Sequence, residues 1–174
     1  MIRNSLLVVL TFFVITLTGC ATNADSNAMT YISHQSASKS DFKNNITVWN
    51  VQGGSQSILS SQITNLSLKK ALENSLSVAG FETDYNKAKY LLDAKLIRLD
   101  QPLLGGIDIT VNCTINYTLT NKNNKIIYNK EIYSTYTAKF SESFNFSERL
   151  RLANEGAARE NIKKLINDLY DINH

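Results

Sequence analysis

From Ile107 to Leu119, apolar and polar side chains alternate without a break. Ile107, Ile109, Val111, Cys113, Ile115, Tyr117 and Leu119 fall on one side, and Asp108, Thr110, Asn112, Thr114, Asn116 and Thr118 on the other. In an extended strand this period of two puts every apolar group on a single face. One face is therefore buried and the other wet. An antiparallel sheet covered on one side provides that arrangement, and a parallel sheet sandwiched between helix layers does not.

The neighbouring segments extend this sheet. Ala88 to Leu99 alternates more loosely, with Tyr90, Leu92, Ala94 and Leu96 opposite Lys89, Asp93 and Lys95. Ile126 to Ala138 returns after the polar turn Asn121 to Lys125, so three strands make a meander. An earlier run, Ile46 to Val51, is apolar on both faces, the pattern of an inner strand, and stops at Gly53-Gly54. Two helices are expected. The first runs from about Ser61 to Ala79 and is closed by Gly80, with Phe81 folding back on its last turn. The second runs from about Phe146 to Tyr170, with Asn145 and Glu148 spaced as a capping box. The order β-α-β-β-β-α predicts an α+β fold: a two-layer α/β sandwich with a mainly antiparallel sheet and both helices on its one apolar face.

The first residues are of another kind. Arg3 precedes Leu6 to Leu17, about twelve apolar residues, where a bilayer-spanning helix needs roughly eighteen or more. The stretch reads as a secretory signal. It ends in Leu17-Thr18-Gly19-Cys20, which resembles the lipobox of bacterial lipoproteins. That resemblance implies cleavage before Cys20 and a covalent diacylglycerol and N-acyl chain on it, with no other cofactor. Two or more acyl chains make attachment stable where one is marginal. Ala21, where enteric inner-membrane lipoproteins carry Asp, implies the periplasmic face of the outer membrane. The expected organisation is a signal peptide over 1–19, the lipidated Cys20 with a flexible tether over 20–45, and one domain over 46–174. A tether of that length has an r.m.s. span of roughly 27 Å.

Side chains able to carry chemistry are sparse. With Cys20 acylated, Cys113 is the remaining thiol, and its place on an apolar stripe favours core over nucleophile. His34 and His174 have no neighbours at metal-ligand spacing. An excess of 18 basic over 15 acidic residues gives no footprint for nucleic acid. Gly53-Gly54-Ser55 reads as a turn. Arg151, Glu155 and Arg159 recur every four residues and share a helix face with Ile162, Ile166 and Leu169. Two readings stay open for this ladder: ordinary surface pairs, or a partly buried or partner-binding surface. Gly156 beside it implies close approach of another backbone. Apolar loops at Leu103 and Leu104, and at Phe140, Phe144 and Phe146, either cap the core or touch a partner or lipid. The candidate contact residues are thus Leu103, Leu104, Phe140, Phe144, Arg151, Glu155 and Arg159.

Together with the lipobox, Ala71-Leu72-Glu73-Asn74-Ser75-Leu76, Leu99-Asp100-Gln101-Pro102-Leu103-Leu104-Gly105 and Arg149-Leu150-Arg151-Leu152-Ala153-Asn154-Glu155-Gly156-Ala157-Ala158-Arg159 resemble a group of small proteobacterial lipoproteins of unestablished activity. Some members of that group carry the label UDP-N-acetylglucosamine acyltransferase. That enzyme family is a left-handed β-helix of hexapeptide repeats with a catalytic histidine, and this sequence has neither the repeat nor a histidine within its expected strands and helices. The element order is similar to lipoproteins that assist lipopolysaccharide assembly or lipid transport. The expectation is a non-enzymatic accessory or binding subunit, anchored in the membrane and contacting an envelope protein or lipid. The alternatives are a periplasmic enzyme acting on envelope glycolipid and a purely structural interaction protein.

Overall fold

The structure, a computed structural model, describes residues 22–35, 37, 40–55, 61–102 and 105–172. The signal segment, Cys20, Leu103 and Leu104 lie outside the described residues. The elements are α1 (Ser26–Met29), β1 (Ile46–Gln52), α2 (Asn65–Ala79), β2 (Tyr90–Asp100), β3 (Ile109–Asn121), β4 (Ile126–Ala138) and α3 (Phe146–Asp171). Four strands among the described residues form one open sheet in the order β1-β2-β3-β4. β1 pairs parallel with β2, and the other two pairings are antiparallel. The parallel pair requires a crossover, which α2 supplies. The fold is the α+β sandwich that the element order implied.

β3 carries the core. Ile109, Val111, Cys113, Ile115, Tyr117 and Leu119 are fully buried, each aliphatic side chain among them stabilising the fold by roughly 1.5–3 kcal/mol. Ile107 precedes the strand and is 78% exposed, so the alternation overran the element by one step. β1 is not an inner strand. It forms one edge of the sheet, and an irregularity between Val48 and Asn50 turns Trp49 to solvent, where it stacks on Tyr85 at 5.0 Å.

Both helix ends follow from local chemistry. Thr64 caps α2 by accepting from the Ser67 N–H, which starts the helix at Asn65 rather than Ser61. Gly80 ends it in the left-handed region at φ 79°, and the Phe81 N–H donates to the Leu76 carbonyl while its ring enters the core. At α3 only half of the expected capping box forms. The Asn145 side chain accepts from the Ser147 and Glu148 N–H groups, whereas the Glu148 carboxylate turns forward to Arg151.

The largest departure concerns residues 20–45, expected to be a flexible tether. From Ala24 onward the described part of this segment is packed against the domain, and Ala24, Met29, Ala37 and Phe42 belong to the core. The Phe42 ring meets Tyr90 edge-on at 5.0 Å. Backbone groups are satisfied along the way. The Ala24 N–H donates to the Gln62 carbonyl, the Tyr31 N–H to Ser75 Oγ, and the Asn45 and Ile46 N–H groups to the Phe81 carbonyl. Scattered apolar residues in a polar background carry no period, so composition alone read them as solvated chain.

Gly156 permits close approach, though to a side chain and not to a backbone. A Cβ there would lie inside the van der Waals envelope of the Tyr136 ring. The Gly156→Ala variant is therefore expected to lose about 1–3 kcal/mol to overpacking, despite the roughly 1 kcal/mol that Ala gains over Gly in a helix. Urea denaturation checks the sign, because a merely tolerated glycine would give a gain.

Candidate functional site

Three regions outside the apolar core carry the candidate chemistry, and the ladder on α3 comes first. Glu155 is only 2% exposed. Its Oε1 accepts the Asp25 N–H at 2.8 Å and an Arg151 guanidinium hydrogen bond, while Arg151 also grips Glu148. One turn on, Arg159 Nη1 donates to the Ala28 carbonyl at 2.7 Å, with its guanidinium 5.8 Å from the Tyr136 ring centroid. The ladder is thus not a row of ordinary surface pairs. It binds the chain's own leading segment at Asp25 and Ala28.

The electrostatics fit a partly buried clamp. Burial pushes the Glu155 carboxyl up, opposed by the Asp25 N–H and by Arg151. The hydrogen bond to Glu148 raises Arg151 further above its ordinary value, and the same bond lowers Glu148. Tyr170 extends the clamp toward the end of α3, its hydroxyl donating to the Gln35 carbonyl at 2.9 Å.

The second region is one end of the sandwich, where β2 ends, β3 begins and the chain passes from β4 into α3. Phe140 and Phe144 meet edge to face at 5.1 Å. Arg149, buried and absent from the sequence-derived candidates, lies 5.0 Å from the Phe140 ring centroid. Its guanidinium donates to the Ser143 carbonyl at 2.7 Å and the Gly106 carbonyl at 3.2 Å, joining the two apolar loops. Only the spacing from the Asn145 cap could have marked it, because Arg149 follows in the first turn, where it can reach back to the loop.

The third region is the wet face of the sheet. Thr110 and Thr137, Asn116 and Asn129, and Asn112 and Tyr133 pair across strands at 2.8, 3.1 and 2.9 Å. A depression of about 450 Å³ is lined by Trp49, Asn50, Gln52, Asp93, Lys95 and Asn116 among others. Nearby, Glu82 sits with Thr47, Thr83, Asp84 and Tyr85 around a second depression. Burial first, then Glu73 and Asp84, push its carboxyl up to about 7. A carboxyl titrating near neutrality suits proton transfer. Cys113 is different: burial pushes its thiol up to about 12, which keeps it an inert part of the core. Among the described residues there is no cluster of three or more His, Cys, Asp or Glu side chains able to hold a metal, and no helix long and apolar enough to cross a membrane.

No family model matches this chain, and no curated protein matches it in sequence. Solved structures do. XCC0632 from Xanthomonas campestris, of the family model DUF330, is 9% identical over 82% of this chain and 94% of its own, with a TM-score of 0.57. CT253 from Chlamydia trachomatis is 9% identical over 73% and 98%, with a TM-score of 0.51. A minor lipoprotein from Acinetobacter baumannii is 7% identical over 74% and 92%, with a TM-score of 0.49. At these identities the likeness to the first two is one of fold alone.

Two outcomes test the site. Glu155→Ala removes the acceptor of a part-buried N–H and is expected to cost about 1–3 kcal/mol, with new proteolytic cleavage within residues 24–35. Unchanged proteolysis would show that the clamp does not hold the segment. For Glu82, a folded-state pKa above the ordinary value means the folded chain binds more protons between about pH 4.5 and 7. Stability should fall as pH rises through that window and be lost least in Glu82→Gln, as read from urea midpoints at pH 4.5 and 8.

Proposed function

We propose that this chain is a lipid-anchored bacterial envelope lipoprotein, held at the periplasmic face of the outer membrane, that works without catalysis as an accessory or binding subunit in envelope assembly or lipid transport. The observation that carries the reading is the position of Ala24. It is buried and hydrogen-bonded four residues after the lipobox cysteine. Extended chain reaches at most about 3.3–3.6 Å per residue, so the acyl chains on Cys20 attach within roughly 14 Å of the packed domain. Such a protein is held against its membrane rather than displayed on a long leash. An anchor so close suits a subunit whose partner or ligand also lies at the lipid surface.

One other reading is a periplasmic enzyme on envelope glycolipid, in which Glu82, set in the depression with Thr47, Thr83, Asp84 and Tyr85, would be the group that transfers a proton. The hexapeptide β-helix of the acyltransferase label is not this fold, which is a four-stranded mixed sheet covered by helices. Turnover of added glycolipid that disappears in Glu82→Gln would favour the enzyme.

For the anchor itself, Cys20→Ser should abolish labelling by radioactive palmitate and move the protein from the membrane to the soluble fraction. Labelling and sedimentation unchanged from the parent chain would defeat the lipoprotein reading.

A further inference from the structure

At the end of the sandwich where the chain enters, the surface is apolar. Ile107 is 78% exposed, Phe144 81% and Phe140 42%, and the three lie on the loops that Arg149 and Asp108 tie together. Exposed clusters of this kind mark contact with protein or lipid. The loop from β4 to α3 is well formed. The Lys139 N–H donates to Glu142, the Phe140 N–H to Asp108 and the Asn145 N–H to Ser143, so the rings are presented by a loop whose backbone is largely satisfied.

The occupant follows from where the leading segment points. The Ala24 N–H bonds to the Gln62 carbonyl, the Gln62 side chain to Gln101 at the end of β2, and Gln101 to Asn154 on α3. Asn154 stands eight residues from Phe146, about 12 Å along a helix rising 1.5 Å per residue. Ala24 therefore meets the domain beside the apolar end. The four residues back to Cys20 can span the remaining distance. The opposite end, with the turn between β3 and β4, is separated by the length of the strands.

We propose that the end of the sandwich bearing Ile107, Phe140 and Phe144 seats on the lipid bilayer surface beside the acyl anchor, fixing the orientation in which the domain stands on its membrane. Aromatic and aliphatic side chains partition into the interfacial region, and an anchor beside them makes that contact intramolecular. The charges at this end balance in sign: Asp100 pairs with Arg98 and Glu148 with Arg151, and Asp108 and Glu142 offset Lys139 and Arg149, so the contact is apolar and should depend little on salt. The wet face of the sheet then stands along the membrane normal, open to the periplasm. The inference rests on the lipid-anchor reading.

The test uses the full lipidated chain in vesicles of phosphatidylethanolamine and phosphatidylglycerol that contain a nitroxide lipid quencher at headgroup depth. A fluorophore is attached in turn to Phe144→Cys and, as the far-end control, to Ile126→Cys; both positions are exposed, and Cys113 is buried and does not compete. Quenching at 144 should exceed that at 126 by about threefold or more, at low and high salt alike, and adding Phe140→Asp and Ile107→Asp should remove the difference. Equal quenching in a chain that floats with the vesicles overturns the docking alone. Shielding of position 144 in native envelopes but not in vesicles also overturns it, assigning the surface to a protein. A chain that does not float at all overturns the anchor and the docking together.

Discussion

The apolar face of the sheet is the constraint on which the rest depends. Four strands present one continuous hydrophobic surface, and two helices lying on it leave a furrow between them. α2 packs mainly over β1, and α3 mainly over β3 and β4. The leading segment adds a third part to the second layer: α1, which carries Met29, touches both helices, while Ala37 packs beside Gly80 at the end of α2 and Phe42 against Tyr90 at the start of β2. Without that third part, apolar flanks of both helices would face water, at roughly 25 cal/mol for each Å² exposed.

Polar groups inside the sandwich set how the layers sit on each other. Asn161 of α3 donates to the Cys113 and Ile132 carbonyls, and Ser134 of β4 donates to the Ala157 carbonyl. About two turns earlier on α3, Asn154 and, from the end of β2, Gln101 both donate to the Ser61 carbonyl. Unlike hydrophobic burial, these bonds are directional, and displacing α3 along the sheet would leave each of them unmade in a dry interior. They hold the N-terminal half of α3 at the height where Glu155 and Arg159 can reach Asp25 and Ala28. The clamp on the leading segment is thus a consequence of how the helix is seated.

Much of the sheet was legible. β3 reads directly from its alternation, because a strand with one wet face records its burial in every second residue. β4 begins and ends where the pattern said, and Gly80 marked the end of α2 because only a residue free of Cβ strain takes the left-handed cap at little cost. The errors fall where a neighbour distant in sequence decides. β1 has apolar side chains on both faces, yet one of them, Trp49, faces solvent because the irregularity in its pairing with β2 rotates it outward. The ladder of Arg151, Glu155 and Arg159 was visible as a pattern, but its partners were backbone groups some 130 residues away. Arg149, two residues before the ladder, gave no periodic signal at all.

The sequence by itself determined the class of fold, the four strands and the two long helices, the wet and dry faces of the meander, and a cysteine that follows a lipobox-like run. These are local properties, written in spacings of two to four residues and in single capping or turn residues. The tertiary structure alone decided that Ala24, Met29, Ala37 and Phe42 belong to the core, that Glu155 is buried, and that Ala24 is tied through Gln62 to Gln101 at the end of β2. Each depends on a surface that exists only once α2, α3 and the sheet have met. A segment that makes its hydrogen bonds and buries its few apolar side chains against such a surface needs no pattern of its own.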